Sequence, residues 1–189
     1  MKKLFSEIPC LTGERVALRR VPLSDAHCLR ALTENTEVYR YLPTFLYELK
    51  YEDKEDVVRQ LYDECLRSSL ILGVYLGNDF CGLAEIYGYR APLHKASVGY
   101  RLLEQYWGKG IATESLGLMV RYLLEETDVE IITASTMLEN QASANVLKKN
   151  GFRRIAHAVP EDWGFARPTL TDKWLRTGAA PQKRYRFRT

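Results

Sequence analysis

Residues 98–113, VGYRLLEQYWGKGIAT, constrain this chain more than any other run. Alternating bulky residues lead through Gly108 and Gly110 straight into an apolar-periodic stretch, which predicts a strand, a glycine loop and a helix N-terminus. Glycines let the backbone approach a ligand closely. The first helical turn adds N–H groups that have no intrahelical partner, at the positive end of the helix dipole. An anion, and a phosphate above all, suits such a junction. A dinucleotide fingerprint G-x-G-x-x-G is excluded because its last position is Thr113, and a Walker loop because Lys109 is followed by Gly110.

The remaining pattern predicts elements around this junction. RVALRRV at 15–21 reads as a first strand and Ser24 as the N-cap of a helix running through Leu29 and Leu32. Residues 53–66 read as a helix with Val57, Val58, Leu61, Tyr62, Cys65 and Leu66 on one face. Strands at 70–76 and 80–89 are joined through Gly77-Asn78-Asp79, which suits a hairpin. The helix after the glycine loop turns Ile111, Ala112, Leu116, Met119, Val120 and Leu123 inward and leaves Glu114, Arg121 and Glu125 outside. A strand at 131–136, a helix at 140–149 stopped by Asn150-Gly151, and strands at 152–159 and 171–176 complete the pattern. Hairpins first and helix crossovers later give an α/β (α+β) fold, a mixed and mostly antiparallel central sheet with helices on both faces. At 189 residues the expectation is a single domain, 1–189, with a core over about 15–177 and a basic tail at 178–189.

A second motif lies at 140–152, NQASANVLKKNGF, where Asn140 reads as a helix cap and the first turn presents Ser143. Q-x-x-G-x-G at 105–110 followed by N-x-x-S-x-x-V-x-x-x-x-G-F at 140–152 resembles the GNAT superfamily of acyl-CoA-dependent N-acetyltransferases, over about residues 15–175. The wording EQYWGKGIATES is similar to the Rim branch, which acetylates the N-termini of ribosomal proteins. The resemblance implies two central strands that splay around a pantetheine arm, with backbone groups of Tyr100, Leu102 and Leu103 pairing with it. It implies that N–H groups from Gln105 through Gly108, Lys109 and Gly110 to Ile111, Ala112 and Thr113 hold a diphosphate. Asn140 would bond the pantetheine arm, Ser143 would sit near the thioester sulfur, and acetyl-CoA is the implied cosubstrate.

Acyl transfer to nitrogen requires a neutral amine at the thioester carbonyl, a donor for the developing oxyanion and a proton for the departing thiolate. Ser143 is the candidate proton donor, with Tyr122 or another tyrosine as the alternative, and Tyr122 is turned away from the loop on the helix wheel. For the base, many relatives carry Glu in a pattern A-E-I-G-Y, whereas this chain has Ala96-Ser97-Val98-Gly99-Tyr100, and serine takes up no proton at neutral pH. Three sources remain open: Glu85 acting through water, a carboxylate within 160–172, or no dedicated base. Glu85 also reads as a solvent-facing or salt-bridged strand residue, opposite Ala84 and Ile86 by alternation.

A composition of 46% hydrophobic and 27% charged residues fits a soluble globular protein, and 27 Lys and Arg against 24 Asp and Glu argue neither for nor against nucleic acid. No run approaches the roughly 18 apolar residues of a membrane span, and the N-terminus lacks a signal-peptide core, so a cytoplasmic protein is expected. Cysteines 10, 28, 65 and 81 lack C-x-x-C spacing and read as reduced, mostly buried thiols instead of metal ligands. His94 and His157 read as surface histidines. The aromatic segment 39–47 is either packing between helices or a wall of the acceptor site. Glu48, Glu52, Asp53, Glu55 and Asp56 are either a seat for a cationic acceptor or a solvated helix surface. The expected function is acetyl transfer to a primary amine, of a protein N-terminus or a small molecule, by direct attack in a ternary complex. The competing readings are a non-catalytic acyl-CoA-binding module, for which Ser97 argues, and a nucleic-acid-binding protein using the tail at 183–188. The sequence leaves monomer and homodimer open.

Overall fold

Across residues 4–64 and 68–178, which the computed structural model describes, eight strands form one sheet. They are β1 (Leu11–Thr12), β2 (Val16–Arg19), β3 (Ser69–Leu76), β4 (Asp79–Arg90), β5 (Lys95–Leu102), β6 (Ile131–Met137), β7 (Arg153–Glu161) and β8 (Thr169–Thr177). The spatial order is β1-β2-β3-β4-β5-β6-β8-β7, and each neighbouring pair is antiparallel except β5 and β6. The α-helices are α1 (Ala26–Thr33), α2 (Thr36–Tyr39), α3 (Lys54–Glu64), α4 (Ile111–Arg121) and α5 (Gln141–Lys149).

Helices cover both faces, as the sequence predicts. Leu116, Met119 and Leu123 of the α4 region and Ala144 and Leu147 of α5 pack on Leu72, Ile86, Val98 and Ile132. On the opposite face, α1 and α3 bring Leu29, Leu32, Val57 and Leu61 against Ile71, Tyr75 and Leu83. Consecutive β3 residues therefore serve opposite cores, which is why this strand is a continuous apolar run without polar alternation. Each fully buried Leu or Met here contributes about 1.5–3 kcal/mol.

Several predicted boundaries shift for identifiable reasons. Ser24 is not the cap of α1: after Pro22 the chain makes a 3-10 turn at Leu23–Asp25, Asp25 takes the cap position, and the Ser24 hydroxyl donates to Asp25 Oδ1. The first strand stops at Arg19, and a short strand β1 pairs beside it. Glu114 is not turned to solvent. Its Oε1 accepts the backbone N–H groups of Arg15 and Val16 at 2.8 and 3.0 Å, which fastens the first turn of α4 to β2. The thiols are not mostly buried: Cys81 is, Cys28 is half-buried beside His27 Nε2 and Cys10 is exposed. Cys65, Leu66 and residues 179–189, including most of the basic tail, lie outside the described residues.

The hairpin at Gly77 forms as expected, with Gly77 at φ +62° and Leu76 opposite Asp79. What the pattern did not predict is a bulge in β4, where Val74 faces Gly82 but Tyr75 faces Phe80. The extra residue flips the alternation, so Phe80 and Leu83 share one core while Cys81, Ala84 and Ile86 share the other. Gly82 sits at φ +151°, and a Cβ there would lie 2.1 Å from the Arg101 carbonyl oxygen. Replacing Gly82→Ala is therefore expected to destabilise the protein by about 2–4 kcal/mol, read as a lowered urea midpoint with unchanged slope.

Candidate active site

The sheet opens in its middle. β5 and β6 pair only at Lys95↔Ile131, Ala96↔Ile132 and Ser97↔Thr133, after which each strand continues without the other. Ser97 Oγ and Thr133 Oγ1 are 2.9 Å apart at this last rung, so the serine that stands in place of the family's glutamate is a strand-to-strand contact. Leu103 N–H donates to the Cys81 carbonyl, so by the alternation of an antiparallel ladder Arg101 and Gly99 face β4, while the main-chain groups of Leu102, Tyr100 and Val98 face the opening. Leu103 thus turns its N–H away from the site inferred for it. The Leu102 carbonyl accepts Trp107 Nε1 at 2.7 Å.

At one lip of the opening stands the glycine loop. Glu104–Tyr106 form a 3-10 turn that uses the N–H groups of Tyr106 and Trp107 internally. Gly108 and Gly110 then take φ of +70° and +82°, with open space around a hypothetical Cβ at Gly108, and Gly110 is the cap residue of α4. The N–H groups at the start of α4 lie in the first helical turn, where α-helices leave donors for a ligand. Arg15, which sequence reading passed over, reaches this loop: its Nη1 donates to the Lys109 carbonyl and its Nε pairs with Glu114. Burial opposes the Glu114 charge, but two N–H groups and the Arg15 guanidinium hold its carboxyl below the usual range.

At the other lip Asn140 caps α5, accepting Ser143 N–H at 3.0 Å. A ligand would therefore meet the Asn140 amide NH2. Ser143 Oγ lies 2.9 Å from Tyr100 Oη, a contact across the opening that no local pattern reveals. Burial pushes the Tyr100 phenol up to about 12, so it stays protonated at neutral pH. Tyr122 is buried in the core behind α4.

Both lips open into one cleft of about 920 Å³. Of the residues inferred for the site, Tyr100, Leu102, Gly108, Gly110, Ile111, Ala112, Thr113, Asn140, Ser143 and Glu85 line it; Leu103, Gln105 and Lys109 do not. Its far wall is the segment from Tyr41 to Tyr47, so the aromatic stretch does face a site. Thr44 fastens that wall to the β7–β8 loop, since its N–H and hydroxyl both donate to the Trp163 carbonyl, at 2.9 and 3.3 Å.

Glu85 sits on the cleft floor as part of a buried ion cluster. Arg101 Nη1 donates to Glu85 Oε2 at 2.9 Å, while Nη2 and Nε lie 2.5 Å from the two oxygens of Glu48, and Tyr39 donates to Glu48 at 2.8 Å. Arg101 is 4% exposed and Glu48 0%, so neither charge is screened by water. Burial raises the Glu85 pKa; Arg101 offsets part of this, and Glu48 adds to it. The other carboxylates of the cleft are engaged elsewhere. Glu161 accepts Lys173 Nζ and the Thr171 hydroxyl, and although burial works against its charge, Lys173, with hydrogen bonds from Trp163 and Ser135, brings its pKa below the usual value. Asp162 accepts Gly164 N–H at 2.8 Å. His94 and His157 lie on the surface, bonded to the Asp128 carbonyl and to Asp172.

The model of the acetyltransferase (GNAT) domain matches residues 15–153. The chain belongs to the GNAT acetyltransferase family. Among curated relatives, the uncharacterised N-acetyltransferase YoaA of Bacillus subtilis is 28% identical over 153 residues, covering 77% of this chain and 84% of YoaA. The putative ribosomal N-acetyltransferase YdaF of the same organism is 22% identical over 149 residues, 76% of this chain and 80% of YdaF. Among solved structures, Mycobacterium smegmatis RimJ in complex with CoA-disulfide superposes with a TM-score of 0.72 at 22% identity, covering 90% of this chain and 86% of RimJ. With the family comes the enzyme class, an acyltransferase whose donor substrate is acetyl-CoA. The residues present fit that donor, with two positive-φ glycines at a helix start and a parted strand pair beside them. Among the described residues no helix is long and apolar enough to cross a membrane.

A β-branched side chain at Gly110 is strained at φ +82° and meets Arg15 Nη2 at 3.1 Å. Gly110→Val is expected to weaken CoA binding by at least about tenfold, measured by calorimetry, with the circular dichroism spectrum unchanged.

Proposed function

We propose that this enzyme moves the acetyl group directly onto a primary amine seated at the aromatic end of the cleft, both substrates being held at once. The observation that carries this reading is that the glycine loop, the Ser143–Tyr100 hydroxyl pair and the Arg101-held Glu85 all open into the same cleft. Acetyl-CoA supplies an acetyl thioester. N–H groups of Gly108, Gly110, Ile111, Ala112 and Thr113 would hold its diphosphate, and the main chain of Val98 and Tyr100, with the Asn140 amide, would hold its arm.

Three side chains then handle protons. Ser143 donates one to the departing sulfur, and Tyr100, in contact with Ser143 Oγ, restores it. Thiols have a pKa near 8.5, so this help need not be large. Glu85 takes the proton of the attacking amine through a water; a base works better as its pKa rises toward the working pH, which is the direction that burial moves Glu85. Glu161 and Asp162 are weaker candidates, because each is already committed to cations or N–H donors. Family membership and this proton-handling set favour catalysis over a non-catalytic acyl-CoA-binding module. Similarity to a putative ribosomal N-acetyltransferase makes a ribosomal-protein N-terminus one acceptor to test. On this reading the enzyme acts in the cytoplasm, as a monomer or homodimer, without a nucleic-acid partner.

Ser143→Ala should lower kcat by about tenfold or more while the Kd for acetyl-CoA changes less than about threefold; an unchanged kcat would show that another group protonates the sulfur. Glu85 must be deprotonated to act, so the rate falls as pH drops through its raised pKa. Glu85→Gln should remove that acid limb from the pH profile of kcat, which reports groups in the bound complex and not the ionisation of the free amine. Glu48→Gln takes away a charge that raises the Glu85 pKa and should move the limb to lower pH.

A further inference from the structure

The acceptor end of the cleft is apolar to an unusual degree for an accessible surface. Of the large hydrophobic side chains that are exposed in the described residues, Phe45, Leu49 and Tyr87 line this part of the cleft, with Phe45 66% exposed, and Trp107 lines it at the glycine loop. A Cβ at Gly164 in the β7–β8 loop would come within 3.4 Å of the Phe45 ring, so that loop packs beside the wall. Scattered single hydrophobic residues are ordinary on a protein surface, but a concentration around one concave site marks a binding surface.

The wall is also held in place without a ligand. Thr44 carries both its hydrogen bonds to Trp163, and a Cβ at Gly164 would fall 2.0 Å from Thr44 Oγ1, so the two segments meet with no room between them. An acceptor therefore meets a prepared apolar surface.

Charge separates the acceptors that such a wall would take. A polyamine has several ammonium groups and needs carboxylates that are not already neutralised. Glu85 is tied to Arg101, Glu161 to Lys173 and Glu37 to Arg40, while Asp162 keeps its charge beside the Gly164 N–H, one carboxylate where a polyamine needs several. The acidic stretch that could have served a polycation is divided: Glu48 is buried against Arg101, and Glu55 and Asp56 pair with Arg59 on the outer side of α3. Glu52, Asp53, Glu55 and Asp56 do not line the cleft, whereas Lys50 and Lys149 do.

Resting on the acetyl-transfer reading above, we infer that the acceptor is a monoamine carried on an apolar body, with an aromatic ring or branched hydrocarbon within a few atoms of the amine. The amine enters neutral toward Glu85, and the apolar body lies against Phe45, Leu49 and Tyr87. A free arylalkylamine and a peptide beginning with a bulky apolar residue share this chemistry, and their relative rates identify which source the enzyme uses.

The test compares initial rates of CoA thiol release by the full chain with acetyl-CoA and four acceptors: 2-phenylethylamine, a peptide with N-terminal Phe, ethanolamine and spermidine. The expected result is a kcat/KM for at least one apolar acceptor about tenfold or more above both ethanolamine and spermidine, since burying a ring is worth that much discrimination. Phe45→Ala should shrink this preference about tenfold with the acetyl-CoA Kd unchanged by calorimetry; because the side chain is exposed, the variant should fold. Spermidine or ethanolamine turned over as well as the apolar amines, or a preference untouched by Phe45→Ala, overturns the inference and leaves the transferase reading standing. Acetyl-CoA binding without turnover of any amine overturns both.

Discussion

The rest of the site depends on the three-rung pairing between β5 and β6. Each strand is secured on its other side, β5 by β4 from Gly82↔Leu102 onward and β6 by β8 along its whole length, so neither can swing back to close the gap. Main-chain N–H and C=O groups in a protein interior require partners. Past Ser97 the groups of β5 that face away from β4 are therefore suited to an extended polar chain that completes the sheet, and a pantetheine arm has that form. The same parting sets the two helix starts, Gly110 and Asn140, on opposite sides of one opening. The diphosphate seat and the proton donor proposed above both depend on this single departure from regular pairing.

Arg101 is the electrostatic counterpart of that constraint. One buried guanidinium stands between two carboxylates, gripping Glu48 with two nitrogens and Glu85 with one. Burial opposes the charge on Arg101, but the two carboxylates more than offset this and keep it protonated. Two negative charges beside one positive crowd a low-dielectric setting, and after burial the Glu48 charge adds to the rise in the Glu85 pKa that Arg101 partly offsets. Glu48 is fully buried and bonded to Tyr39, while Glu85 lies on the cleft floor. Of the two, Glu85 is the carboxylate that the cleft reaches, as the proposed base must be, with Glu48 packed behind it.

The features legible in the sequence are those set by neighbours in the chain. The strand, glycine loop and helix at 98–113, the hairpin at Gly77 and the cap at Asn140 rest on local spacing and on residues whose backbone preference is strong, and each forms where expected. The misses arise from contacts between distant positions. Glu48 leaves the acidic stretch because Arg101, 53 residues later, draws it into the interior. Glu114 turns inward because the N–H groups of Arg15 and Val16, at the start of β2 and about a hundred residues earlier, need an acceptor. The bulge at Gly82 inverts the alternation, and no periodicity count reveals a one-residue insertion opposite a strand not yet located. The Ser143–Tyr100 contact likewise joins two motifs that the sequence shows only one at a time.

Donor and acceptor sides of the cleft are built on different terms. The donor side relies on main-chain groups of β5 and of the first turn of α4, fixed by the sheet and by a helix anchored through Glu114. Side chains there can vary while those groups keep their directions. The acceptor side is made of side chains on two loops, joined by the Thr44–Trp163 hydrogen bonds. Residues on such loops contribute little to the two cores, so changing Phe45 or Leu49 alters what the wall accepts at small cost to the fold. A constant acetyl donor combined with a replaceable acceptor wall is the division of labour that one scaffold needs in order to serve many amines. In this chain the division runs between Tyr100, whose main chain faces the donor, and Glu85, whose carboxylate faces the acceptor from the neighbouring strand.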